Sequence, residues 1–285
     1  MSATVIRMPF RADQKVIALL RQQIQAIECN TPAETTVSPG WQNSKRVKQQ
    51  TTVPLGTPEI DAALPWNGFP ISGLHEIYGD AAALGFSVVL LSRLIEFRSK
   101  SCCAPILWCQ QEWNLYGQGL TEFGIEPEQL ILVHGKTDTD ILWAMEEGLR
   151  VSGLTAVIGK LQKIPPSAGR RLHLAAEKSG TTGLLIRTTS SSTMTQVPTS
   201  SALTRWRVTS APSITPAHGV GLGAPQWHLE LQRCRLSATH RKKLENAGHP
   251  KSWLVEWCNE TSNLTVVANL CDRPAPTQTL WQTTS

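Results

Sequence analysis

Apolar and polar positions divide the chain into two regimes. From Leu74 to Thr188, short and nearly continuous apolar runs alternate with longer stretches of helical spacing. The runs Leu74–Tyr78, 104–109, Leu130–His134, 154–158 and 183–188 predict strands buried on both faces. Between them, 84–97 predicts a buried helix, and 165–178 predicts a helix ended by Gly180. Another helix carries Ile141, Leu142, Met145 and Leu149 on one face, and Thr137 with Asp140 three residues on supplies a capping box at its start. Strands alternating with helices across short turns predict an α/β fold with a mostly parallel sheet and crossover helices. After Thr188 the pattern changes. Residues 188–201 are dominated by Ser and Thr, which predicts an exposed loop, and 205–208, 226–235 and 252–258 predict antiparallel strands added at the C-terminal side.

The ends differ from this centre. Within residues 1–30, Ile17, Leu20, Ile24 and Ile27 are spaced three, four and three apart, which places one apolar stripe on a separate N-terminal helix. Such a helix has no core of its own and must dock, either on its own domain or, the preferred reading, on a partner. Residues 31–52 contain Pro32, Pro39, Gly40, Lys45, Arg46 and Lys48 and predict a linker. The main domain is expected over 53–258, followed by a flexible polar tail over 259–285.

Composition narrows the function only a little. A hydrophobic content of 41% fits an ordinary globular core, and a net charge of +5 permits a nucleic-acid or acidic partner without requiring one. Seven Cys, an odd number with no Cys-x-x-Cys spacing, point to a reducing compartment rather than to disulfides or zinc. The seven His show no metal spacing, so no metal is expected. No signal-peptide core opens the chain, and the uncharged stretch 208–229 is interrupted by Pro and Gly, so a cytoplasmic protein without membrane spans is expected. Of ten Trp, those at 108, 143, 206, 253 and 257 fall on predicted strands or an apolar helix and are assigned to the core. Trp66, Trp113 and Trp281 lie in predicted turns or the tail and are better interface candidates. Arg205 with Arg207, and Arg233 with Arg235, each share a strand face. They form either a basic strip for DNA or an acidic partner, or solvated strand edges that block aggregation.

The sharpest chemical signal lies at Gly79. A predicted strand runs into Gly79, five residues follow, and then come Gly85, Phe86, Ser87 and an apolar helix. A working phosphate loop has four residues between its glycines, then Lys and a hydroxyl residue; backbone N–H groups cradle the phosphates and the Lys neutralises them. Here the spacing is longer by one and Phe86 stands in the Lys position. The loop is therefore degenerate, no cofactor is expected, and ATP binding is doubtful.

Several stretches carry a resemblance. Leu55-Gly56-Thr57, 60–64, Gly68-Phe69-Pro70 and 75–79 follow the order of the opening of a RecA core. More closely, 64–70, 106–109, 142–147, 156–159, 170–187 and 204–208 resemble the ImuA family, RecA-like accessory proteins of SOS-induced translesion DNA synthesis. The resemblance covers about residues 53–258 and implies a RecA-like domain. The ATPase residues of that scaffold do not carry over. Gly159-Lys160 replaces the metal-ordering acid, Glu112 is one residue out of register for the catalytic Glu, and the γ-phosphate sensor is replaced near Arg187-Thr188. No catalytic residue is expected. The DNA-gripping loop would correspond to 188–201, which has no Lys or Arg, so contact with DNA is expected to be mainly indirect.

The resemblance implies a non-enzymatic adaptor in DNA-damage mutagenesis. Its implied partners are an ImuB-type Y-family-like protein, an error-prone C-family DNA polymerase and RecA. Two alternatives stay open. One is a SulA-like cell-division inhibitor binding FtsZ, disfavoured by the long strand-rich extension after Thr204. The other is a weak nucleotide-binding regulator using Gly79, Gly85 and Ser87.

Overall fold

In a computed structural model, the structure describes residues 4–7, 51–99, 104–112, 114–188, 201–213, 223–235, 251–258 and 262–269. In chain order these form β1 (Thr4–Arg7), β2 (Thr52–Val53), α1 (Pro58–Ala63), β3 (Phe69–Pro70), β4 (Gly73–Gly79), α2 (Ala82–Ser99), β5 (Ile106–Gln110), α3 (Gly117–Thr121) and β6 (Leu130–His134). They continue with α4 (Asp138–Leu149), β7 (Ala156–Lys160), α5 (Pro166–Ser179), β8 (Thr182–Thr188), β9 (Thr204–Ala211), β10 (Gln226–Cys234), β11 (Ser252–Cys258) and β12 (Asn263–Asn269).

Apart from the small β2–β3 pair, the strands make one ten-stranded sheet in the order β1-β6-β5-β7-β8-β4-β9-β10-β11-β12. Pairing is parallel from β1 through β9 and antiparallel from β9 to β12. Side chains alternate across β4, β5, β6, β7 and β8, so each of these strands feeds two cores. Ile77, Trp108, Ile158, Leu184, Ile186 and Trp206 pack with α2 on one face. Leu74, Leu107, Cys109, Val157 and Leu185 pack with α4 and α5 on the other. This double burial is why these strands read as unbroken apolar runs.

Local chemistry sets the helix ends. Thr137 Oγ1 accepts from the Asp140 amide while the Asp140 carboxylate accepts from the Thr137 amide, closing the predicted capping box of α4. Helix α5 has Pro166 in its first turn and ends at Gly180 in the left-handed conformation (φ 77°), where a Cβ would be strained.

The α/β fold expected from the pattern is the fold observed, with three differences. Strand β1 lies at the sheet edge, paired with β6, although the sequence reading placed residues 1–30 in a separate helical unit. Four residues are too few for a strand pattern to emerge. Strand β12 carries the sheet past residue 258, into the segment read as a flexible tail. Strand β9, read only as antiparallel, joins the two halves: it is parallel to β4 and antiparallel to β10. The docking-helix positions Ile17, Leu20, Ile24 and Ile27, and nearly all of the Ser/Thr-rich stretch, lie outside the described residues. No described helix is long and apolar enough to cross a membrane.

Candidate functional site

The carboxyl ends of parallel strands are where an open α/β sheet receives ligands, so the turn from β4 into α2 comes first. A phosphate-binding turn works by presenting the free N–H groups of a helix start. Here the four leading amides of α2 are occupied. Ala82 N–H donates to Asp80 Oδ1 at 2.8 Å. Those of Ala83, Leu84 and Gly85 donate to the carbonyls of Asp80, Ala81 and Ala81 at 3.1, 3.1 and 3.5 Å. The Asp80 carboxylate thus sits where an anion would bind, and its second oxygen accepts from the Ser210 amide of β9 at 2.8 Å. Only Asp80 and Ala81 separate strand from helix. The sequence predicts a degenerate phosphate loop here, one that has lost its Lys but is still a loop. That is corrected: residues 82–85 are already helix, and the shape is gone too.

The remaining motif residues serve packing. Gly79 has φ 151°, and a Cβ there would run into the Val208 carbonyl oxygen, so glycine is required by the approach of β9. A Cβ on Gly85 would come within 2.9 Å of Trp227 Cζ2, so this glycine admits the indole of β10 against the first turn of α2. Phe86 is fully buried, its ring 5.6 Å from that of Trp206. Ser87 is also fully buried, and its hydroxyl donates to the Ala83 carbonyl at 2.7 Å.

Beyond β8, the ends of β5, β7 and β8 border a small polar cleft of about 140 Å³, lined by Gln111, Glu112, Asp138, Lys160, Gln162 and Thr188. Lys160 Nζ lies 3.0 Å from Glu112 Oε2, and this contact holds the Glu112 carboxyl below its ordinary range. A cation therefore stands at the end of β7, paired with Glu112. No group of three or more His, Cys, Asp or Glu suited to a metal occurs among the described residues.

The proposed basic strip divides. Arg205 is 8% exposed, and its Nε donates to Glu76 Oε2 at 3.0 Å. Arg187, on the opposite side of β4, donates from Nη1 to Glu76 Oε1, also at 3.0 Å, and from Nε to the Gln162 carbonyl. Arg205 is therefore withdrawn from the strip, because Glu76 draws it into the sheet. Arg207 is half-exposed and lies 3.7 Å from Glu230. Arg233 stands opposite Arg205 on β10, and Arg235 reaches the Ser201 carbonyl. Sequence reasoning missed Glu76 and Arg187 as a unit. A charged residue at alternating register in an otherwise apolar strand was the available signal. Trp108, Trp206, Trp253 and Trp257 lie in the core, as expected, whereas Trp143 is only partly buried against it.

No family model matches the chain. Protein ImuA of Caulobacter vibrioides strain NA1000 / CB15N is 29% identical over 214 residues, spanning 71% of this chain and 82% of that protein. Protein ImuA of strain ATCC 19089 matches to the same extent. Among solved structures, the RadB recombinase aligns with a TM-score of 0.50 at 13% identity, covering 74% of this chain and 98% of that one. The chain is thus similar to Protein ImuA over most of its length, and its fold is RecA-like.

Proposed function

We propose that this chain is a non-catalytic adaptor in SOS-induced translesion DNA synthesis, holding an ImuB-type Y-family-like protein, an error-prone C-family polymerase and RecA in one assembly. The supporting observation is the turn from β4 into α2, where the Asp80 carboxylate and two carbonyl oxygens take every leading helix amide. Phosphoryl transfer rests on positioning and charge stabilisation of the phosphates. A turn whose anion site is filled by its own carboxylate, next to a buried Phe86, supplies neither. The scaffold then serves as a surface, and the likeness to Protein ImuA supports mutagenesis as its setting.

Capture experiments with the tagged full-length chain in lysates of damaged cells test this. Co-recovery of the ImuB-type protein and the C-family polymerase is the expected result; FtsZ without either would establish a division inhibitor instead. Equilibrium dialysis with Mg-ATP is expected to show no binding. Saturable binding would restore the nucleotide-dependent regulator.

A further inference from the structure

On the face of the sheet covered by α4 and α5, a groove of about 710 Å³ runs along the surface between these helices. Glu146 and Arg150 line it from α4 and the residue after it; Arg171, Leu174, Ala175 and Lys178 line it from α5. The α5 positions recur at helical spacing, so they share one side, while Ala168, Leu172 and Ala176 bury the other. Leu174 is 53% exposed, an apolar side chain left on the polar side of an amphipathic helix.

The charge around it is lopsided. Of the ionisable residues in the lining, Arg150, Arg171 and Lys178 are cations and Glu146 alone is an anion. Glu146 is committed: Oε1 is 2.7 Å from Arg150 Nη2 and Oε2 is 3.2 Å from Arg171 Nε. Glu147 takes the other guanidinium nitrogen of Arg150 at 2.7 Å. The carboxylate thereby fixes two guanidinium groups at a set spacing across the groove, with N–H donors left over on Arg171. Lys178 has no ion-pair partner among the described residues.

We propose that this groove is a docking site for an acidic segment of a partner protein, one that lays a bulky apolar side chain on Leu174 and Ala175 and carboxylates on Arg171 and Lys178. Charge complementarity selects the acidic character, and the exposed Leu174 selects a peptide over a nucleic-acid backbone, which offers phosphates but no apolar anchor. Guanidinium groups already ordered by Glu146 lose less freedom on binding than free ones would. The inference holds whichever assembly the chain serves.

The test is selection of a phage-displayed random peptide library on the folded full-length chain, then titration of the winning synthetic peptide against Leu174→Asp and Lys178→Glu. Both side chains are exposed, and unchanged thermal unfolding of each variant verifies that the fold survives. Enriched peptides are expected to carry Asp or Glu on both sides of an apolar residue, with each substitution weakening binding by about tenfold, as for an anchor contact. Peptides without acidic residues, or binding both variants as well as the parent, would overturn the proposal. So would a single-stranded oligothymidylate that binds the parent, loses affinity with Lys178→Glu and keeps it with Leu174→Asp.

Discussion

Strand β4 carries two chemistries on its two sides. On one, His75 and Ile77 face an aromatic mass: the His75 ring lies 4.2 Å from that of Phe69, and Phe86, Trp206 and Trp253 continue the layer. On the other, Leu74 gives way to Glu76 and Tyr78. Glu76 joins an arginine from each neighbouring strand, and the Tyr78 hydroxyl donates to Gln232 of β10. Packing among apolar rings is non-directional and tolerates many arrangements. An ionic bridge from β8 through β4 to β9 tolerates few, because a one-residue slip would turn Glu76 to the aromatic side. The aromatic side supplies stability and the ionic side supplies register.

Measurements on single variants bear on this division, beginning with the largest effect, and a triple variant serves as the control for the second. Phe86→Ala should destabilise the protein by about 3–5 kcal/mol in urea unfolding, through lost burial and the cavity left beside Trp206. Glu76→Ala should cost about 3 kcal/mol or more, since it strands two buried guanidinium groups. Replacing Glu76, Arg187 and Arg205 together by Leu or Met should be close to neutral in stability. If that triple variant is as unstable as Glu76→Ala, the ionic side contributes stability in its own right and the division fails.

The third concerns pH. Burial, aided by nearby His173, pushes the His75 imidazole down to about 3, from an ordinary 6.5. The unfolded chain therefore binds a proton that the folded one refuses. The contribution to stability is complete above about pH 6.5 and is lost as pH falls towards 3, at up to about 1.4 kcal/mol per pH unit. His173 is shifted in the same direction and adds to the slope. His75→Gln should flatten the curve across that interval in pH-dependent thermal unfolding. The smallest effect among the single substitutions is Tyr78→Phe, expected to cost about 1 kcal/mol by removing one partly buried hydrogen bond.

How far the sequence revealed this molecule depends on the range of the interaction. The parallel strands were legible because double burial leaves unbroken apolar runs, as in Ile106-Leu107-Trp108-Cys109. The α4 cap was legible because Thr137 and Asp140 are three residues apart. The closed β4–α2 turn was only half legible. The missing Lys at Phe86 could be seen, but the Asp80 carboxylate on the helix amides could not, because Asp80 is an ordinary turn residue until the helix start is known. Arg205 was misassigned for a related reason. Arg205 and Arg207 share a face by alternation, yet only the assembled sheet shows that Glu76 claims the first and leaves the second half-exposed.

The ionic side has a consequence for synthesis. Glu76 meets Arg187 and Arg205 across 111 and 129 residues of chain, so β4 leaves the ribosome long before its partners exist. At a translation rate of about 5–20 residues per second, that wait lasts on the order of ten seconds. A strand apolar on both sides would spend it as an adhesive edge open to any neighbouring nascent chain. The carboxylate of Glu76 keeps one side of β4 hydrated until the arginines that will enclose it have been made.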